Sequence, residues 1–249
     1  MMRIAKGMVS TVASVTLGGA TLLGRPVYVG AQVIVPNAQA ASDGNMSNIH
    51  PFDCHGFVLG SMRYQQVYLG AEVGTRTITG IRFRRARDGS PFEPRRISDV
   101  TITLSSTNAP PDGLSATFSS NVGSDVTTVF AGDLTLSSGE SSESPRPFDI
   151  VVPLAKPFRF NASTGNNLLL DVTIPACPQA QDTPFDAEAI VGDSVSRVVG
   201  GAGEPTAAVS DTAGLVTEFS SDTCADGRHR SCRAARKRRL RQRHAHLMS

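Results

Sequence analysis

The residues best suited to hold a ligand are two tyrosines and a group of arginines. Tyr64 and Tyr68 stand with Arg63, Gln65 and Gln66 in the one cluster of the chain's body that mixes aromatic and polar side chains; Trp is absent and Tyr28, the third tyrosine, lies near the start. If Arg63–Tyr68 is a strand, a spacing of four puts both rings on one face. Exposed, they would form a platform for a sugar ring; packed, with their hydroxyls satisfied, they would be ordinary core. A second cluster comprises Arg82, Arg84, Arg85, Arg87, Arg95 and Arg96. Arg82 and Arg84 share a strand face, and the group could hold an acidic polysaccharide or pair with Asp88, Glu93 and Asp99 nearby. Pairing is the expectation, and the candidate binding set is Arg63, Tyr64, Tyr68, Arg82 and Arg84.

Catalytic chemistry has weaker material. Gly192-Asp193-Ser194-Val195 offers a serine of the kind that opens one esterase and lipase class. A serine nucleophile needs a base within hydrogen-bond reach and oxyanion donors. The body holds only His50 and His55, both before the serine, whereas that class has a late histidine in an α/β chain. A turn feeding a strand at Val195 accounts for the motif, so no catalytic residue is expected. Asp53-Cys54-His55 lacks the paired ligand spacing of a zinc site, and no metal centre is expected there. Oxygen-rich loops at Asn121–Asp125, Asp182–Asp186 and Asp211 leave a structural calcium ion open, although Asp in turns commonly caps its own backbone.

These residues lie in a string of short apolar segments. Val100-Thr101-Ile102-Thr103-Leu104 alternates with period two, placing the threonines outward. Thr77–Arg84 changes phase near Gly80, as a bulge does. Further strands are predicted at Leu114–Phe118, Val126–Leu136, Phe148–Leu154, Asn167–Ile174, Ala187–Val191, Val195–Val199 and Leu215–Phe219. Asn108–Gly113 reads as a turn and Ser137–Pro147 as a hairpin loop. No window of the body has the apolar spacing of a helix, so the expected fold is all-β: a single antiparallel β-sandwich or jelly-roll-like domain over residues 32–221.

The formal net charge of +2 over 249 residues conceals a division. Residues 1–31 carry three Lys/Arg and no acid, and residues 226–249 carry nine Lys/Arg against one Asp. Residues 32–225 hold twelve Lys/Arg against twenty-one Asp/Glu, a net of −9. An acidic body is a poor surface for nucleic acid, and none is expected as a partner. Arg3 and Lys6 followed by the uncharged run Gly7–Gly24 read as an export signal over residues 1–31, with cleavage after Ala31 preferred for its shorter c-region and after Ala40 the alternative; no stable membrane span is expected in the mature chain. Residues 222–249 read as a disordered basic tail or as text from a shifted reading frame. In an exported chain Cys54 and Cys177 are candidates for a disulfide, although four cysteines allow three full pairings.

Several phrases are similar to those of exported bacterial PEP-CTERM sorting-domain proteins: Val35-Pro36-Asn37-Ala38, Gly44-Asn45 leading to Pro51-Phe52, Arg63-Tyr64-Gln65-Gln66-Val67-Tyr68, Pro110–Ser115, Phe158–Val172 and Gly192–Arg197. The resemblance covers about residues 35–219. It implies a secreted, β-rich protein of an exopolysaccharide-producing bacterium and supplies no catalytic residues. The chain departs from the family pattern after Phe219, where neither Pro-Glu-Pro nor an apolar span follows, so the resemblance does not extend to membrane sorting. The expectation is therefore an exported, non-catalytic matrix or cell-surface interaction protein. A carbohydrate-binding module for exopolysaccharide is the alternative, and a Ser194 esterase stands third.

Overall fold

The computed structural model describes residues 31–53, 60–176 and 184–221. Most of the expected signal, Cys54, His55, Cys177, Asp182 and the basic tail lie outside the described residues. Among the described residues thirteen strands are present: β1 (Ala31–Val35), β2 (Met46–Asn48), β3 (Met62–Tyr68), β4 (Arg76–Phe83), β5 (Phe92–Thr107), β6 (Thr127–Ser138), β7 (Ile150–Phe160), β8 (Asn167–Ile174), β9 (Phe185–Glu188), β10 (Val195–Gly200), β11 (Val209–Asp211), β12 (Gly214–Leu215) and β13 (Thr217–Ser221). Helix among the described residues is limited to one α turn, Gly70–Val73, and three short 3-10 turns. None is long and apolar enough to cross a membrane.

The strands form an all-β, sandwich-like domain in which every pairing is antiparallel. One sheet has the order β1-β13-β4-β7, a second β11-β10-β3-β8-β5-β6, and a small third β12-β9-β2. The first two share one apolar core. Tyr68 of β3 meets Phe219 of β13 edge to face at 4.9 Å between ring centroids, and Ile81, Phe83 and Val152 join Ile102, Leu104, Val172 and Leu170 in the same buried cluster. The third sheet enters this core through Phe185, which packs on Phe52 and Phe83 at 5.6 and 5.9 Å.

Alternation dictates which residues make that core. Along β5 the even positions Ile102 and Leu104 are buried while Thr101 and Thr103 are partly open. β8 runs through the middle of the six-stranded sheet, and its nearly unbroken apolar run is buried almost throughout. The register of β4 against β7 slips between Ile78 and Gly80, at the phase change legible in the sequence.

Two expected strands are corrected. Leu114–Phe118 is not a strand: it carries a single bridge, Thr117 to Thr206, and then turns into a 3-10 helix from Phe118 to Asn121. The side chain of Asn121 accepts from the N–H of Ser115 and donates to its carbonyl, both at 2.8 Å, so the groups a ladder would use are already taken. Ala187–Val191 ends early, because β9 stops at Glu188 and Asn45 holds both backbone groups of Ala189 at 2.8 and 3.5 Å. Beyond it Val191 is 83% exposed. Val100–Leu104 is part of the 16-residue β5. β1, β2 and β11 were not anticipated.

Candidate functional site

Tyr64 and Tyr68 lie on one face of β3, and that face is the core. Both are 0% exposed. The Tyr64 hydroxyl donates to Gln66 Oε1, and the Tyr68 hydroxyl lies 2.9 Å from Thr217 Oγ1. Burial pushes both phenols well above their ordinary value. They present no platform to a ligand, so the exposed-aromatic reading is withdrawn.

The arginine cluster is likewise dispersed. Arg84 is 1% exposed: its guanidinium pairs with Asp186 at 2.6 Å, donates to the carbonyls of Gln39 and Ser42 at 3.0 and 2.6 Å, and stacks on Phe148 at 4.8 Å. Burial raises the Asp186 carboxyl against the pull of Arg84 and the Gly44 N–H. Arg85 is also buried and donates to Ser138 Oγ and to the carbonyls of Gly89 and Gly139. Arg82 reaches Glu218 on the neighbouring strand at 3.6 Å, and exposed Arg96 pairs with Asp133. Ion pairing is thus the fate of Arg82, Arg84 and Arg96, with carboxylates brought by other strands and not with Asp88, Glu93 and Asp99. Arg82 and Arg84 form no common surface with Arg63.

In the oxygen-rich loops, the carboxylates of Asp125 and Asp211 are taken by protein donors. Asp125 accepts from the N–H and hydroxyl of Ser106, each at 2.8 Å. Asp211 takes the Arg197 fork at 2.7 and 3.0 Å and the Ala213 N–H at 3.0 Å. Burial pushes the Asp211 carboxyl up, but Arg197 outweighs it and holds it below the ordinary range. No group of three or more His, Cys, Asp or Glu gathers as a metal site among the described residues. Ser194 is 4% exposed and ends the turn before β10: Asp193 Oδ1 caps the N–H of Val195 at 2.8 Å, and Ser194 Oγ has no hydrogen-bond partner. His50 Nδ1 lies 2.8 Å from the Asp53 carbonyl.

Of the candidate binding residues, Arg63 lines a groove of about 360 Å³ on the outer face of the six-stranded sheet. Strand register builds its floor. Arg63 sits opposite Thr173, which sits opposite Thr101. One row along, Gln65, Asp171 and Thr103 are aligned in the same way. Val122 and Val126 from the segment before β6, and Ala202 from the turn after β10, form the sides.

The charged pair in this floor is tightly held. Arg63 Nη2 and Nε donate to Asp171 at 2.7 and 3.3 Å, and Gln65 Nε2 adds a third bond at 2.7 Å. The Arg63 guanidinium lies 4.7 Å above the buried Phe118 ring. Gln65 is fixed in turn by the Phe118 carbonyl at 3.1 Å and the Asn121 amide at 2.9 Å. Side-chain exposure is 25% for Arg63 and 8% for Asp171.

The sequence singles out Arg63 and Gln65 as candidates and turns Thr101 and Thr103 outward without giving them a role, and it does not single out Asp171 or Thr173. The signal for Asp171 was present: a lone carboxylate inside Leu168-Leu169-Leu170-Asp171-Val172 must face outward or be paired. A second concavity lies over the consecutive residues Glu140–Glu143 in the β6–β7 loop. No family model, no curated protein and no solved structure matches the chain.

Proposed function

We propose that this chain is an exported, non-catalytic interaction domain that works at the cell exterior as a matrix or surface protein. The observation that carries the reading is the Arg63–Asp171 groove, open on the sheet's outer face with its carboxylate fixed by three hydrogen bonds. A carboxylate held in that way is a stationary hydrogen-bond acceptor. Ser194, the candidate nucleophile, has no base bonded to its hydroxyl among the described residues. Export is supported by the Arg3/Lys6 segment and the uncharged run behind it. The net of −9 over residues 32–225 turns the body away from nucleic acid.

The test is to fractionate the producing cells and probe the cytoplasm, washed surface, matrix and medium for the chain. Recovery from the exterior fractions, together with ester turnover indistinguishable from that of Ser194→Ala, is expected. Recovery from the cytoplasm alone, or turnover lost in Ser194→Ala, contradicts the reading.

A further inference from the structure

The geometry points to a neutral polysaccharide as the ligand of the outer groove, with Arg63, Asp171, Thr101, Thr103 and Thr173 engaging the hydroxyls of uncharged sugar units. The inference rests on the interaction-domain reading and names its ligand class. The groove floor is a grid: neighbouring strands stand about 5 Å apart and alternate residues about 7 Å apart, the scale of a single sugar ring. Each threonine hydroxyl can donate and accept, the guanidinium only donates and the carboxylate only accepts. A sugar hydroxyl does both, so this mixed set satisfies it.

An acidic polysaccharide adds carboxylates, which only accept, and Asp171 would face them with like charge. The floor pair is balanced, because the one cation is already bonded to the one anion. The net of −9 over residues 32–225 further disfavours an acidic polymer. Arg63 keeps donors to offer, since no described residue accepts from its Nη1, and the Phe118 ring holds the guanidinium in place. Val126, 48% exposed at the rim, gives an apolar contact for the C–H face of a ring. The groove is near the small end of ligand sites and has no aromatic platform. Each unit is therefore bound weakly, and a polymer, which can engage repeatedly, is the appropriate probe.

Affinity electrophoresis of the full chain through gels containing dextran, a galactomannan, a soluble β-glucan or alginate tests this. Retardation by at least one neutral polymer is expected, unchanged between about 50 mM and 500 mM salt because no net charge is engaged. Thr101→Val with Thr103→Val should weaken it about tenfold, the loss of two ordinary hydrogen bonds, at unchanged unfolding temperature. Arg63→Ala should weaken it further, but that variant also strips Asp171 of its partner, so the threonine pair is the deciding one. Three results would overturn the proposal: no retardation by any neutral polymer, retardation that survives the threonine double variant, or retardation by alginate alone that fades with salt. If one of these is seen while the chain is still recovered from the cell exterior, the ligand class fails and the interaction-domain reading stands. Cytoplasmic recovery removes the reading beneath it.

Discussion

Gln66 holds Leu215 as a neighbouring strand would: its Oε1 accepts from the Leu215 N–H at 2.7 Å and its Nε2 donates to the Leu215 carbonyl at 2.8 Å. Both residues are 0% exposed, and the Tyr64 hydroxyl donates to the same Oε1. The core thus continues a hydrogen-bond ladder through a side chain where β3 and β12 are not paired. Asn121 on Ser115, beside the isolated Thr117 bridge, and Asn45 on Ala189, just past the end of β9, repeat the device.

Gln66→Leu keeps the volume and leaves the buried Leu215 N–H without its acceptor, while the Leu215 carbonyl keeps the Thr217 hydroxyl at 3.0 Å. An orphaned buried donor costs about 1–3 kcal/mol, so denaturant unfolding should register a loss of about that size. Gln66→Glu should be pH-dependent. Protonated, Glu can still donate to the carbonyl; ionised and buried, it cannot, so its folded-state pKa is raised. Its stability is complete below the ordinary Glu value of about 4.3 and is lost as pH rises through the raised one.

Arg84 and Asp186 make a buried pair, and removing one member of such a pair costs about 3–5 kcal/mol. Asp186→Ala should show a loss of that size in denaturant unfolding. Arg84→Met with Asp186→Leu should recover part of it. The recovery is incomplete because the carbonyls of Gln39 and Ser42 lose their donor.

Acid should weaken the fold through His50. Burial, with Arg197 adding to it, lowers this imidazole below its ordinary 6.5. The unfolded chain therefore binds the proton more readily. Stability from His50 is complete above 6.5 and is lost as pH falls through that value toward the depressed folded-state value. His50→Gln should flatten this segment of a stability-against-pH curve; an unchanged slope would remove His50 from the account.

β1 pairs with β13 from Ala31↔Ser221 to Val35↔Thr217, and Val35 is 0% exposed. A chain beginning at Ala41 loses that strand, and its unfolding temperature should fall by several degrees. Of the two candidate cleavage sites, the one after Ala31 keeps the strand apart from its first residue. If the chain is exported as proposed, N-terminal sequencing of the mature form should read from Gln32.

What the sequence disclosed and what it hid have separate physical causes. Period-two runs such as Val100–Leu104, and the phase break at Gly80, report burial on one face, which is local. Whether Tyr64 and Tyr68 faced core or solvent depended on β13, which brings Thr217 and Phe219 from about 150 positions away. The partners of Arg84 and Arg63 were likewise hidden, since Asp186 and Asp171 lie 102 and 108 residues along. Ser115 and Ala189 sat in runs with strand composition; the side chains of Asn121 and Asn45 took their backbone groups, which alternation does not register.

The most direct test of a binding face on the outer sheet is amide chemical-shift mapping of the full chain against a neutral oligosaccharide cut from the polymer that retards it. Shifts should concentrate on Arg63, Thr101, Thr103, Asp171 and Thr173, saturate together, and leave Tyr64, Tyr68 and Arg82 unmoved. Saturable shifts centred elsewhere, or none at concentrations that saturate the polymer, would contradict the account.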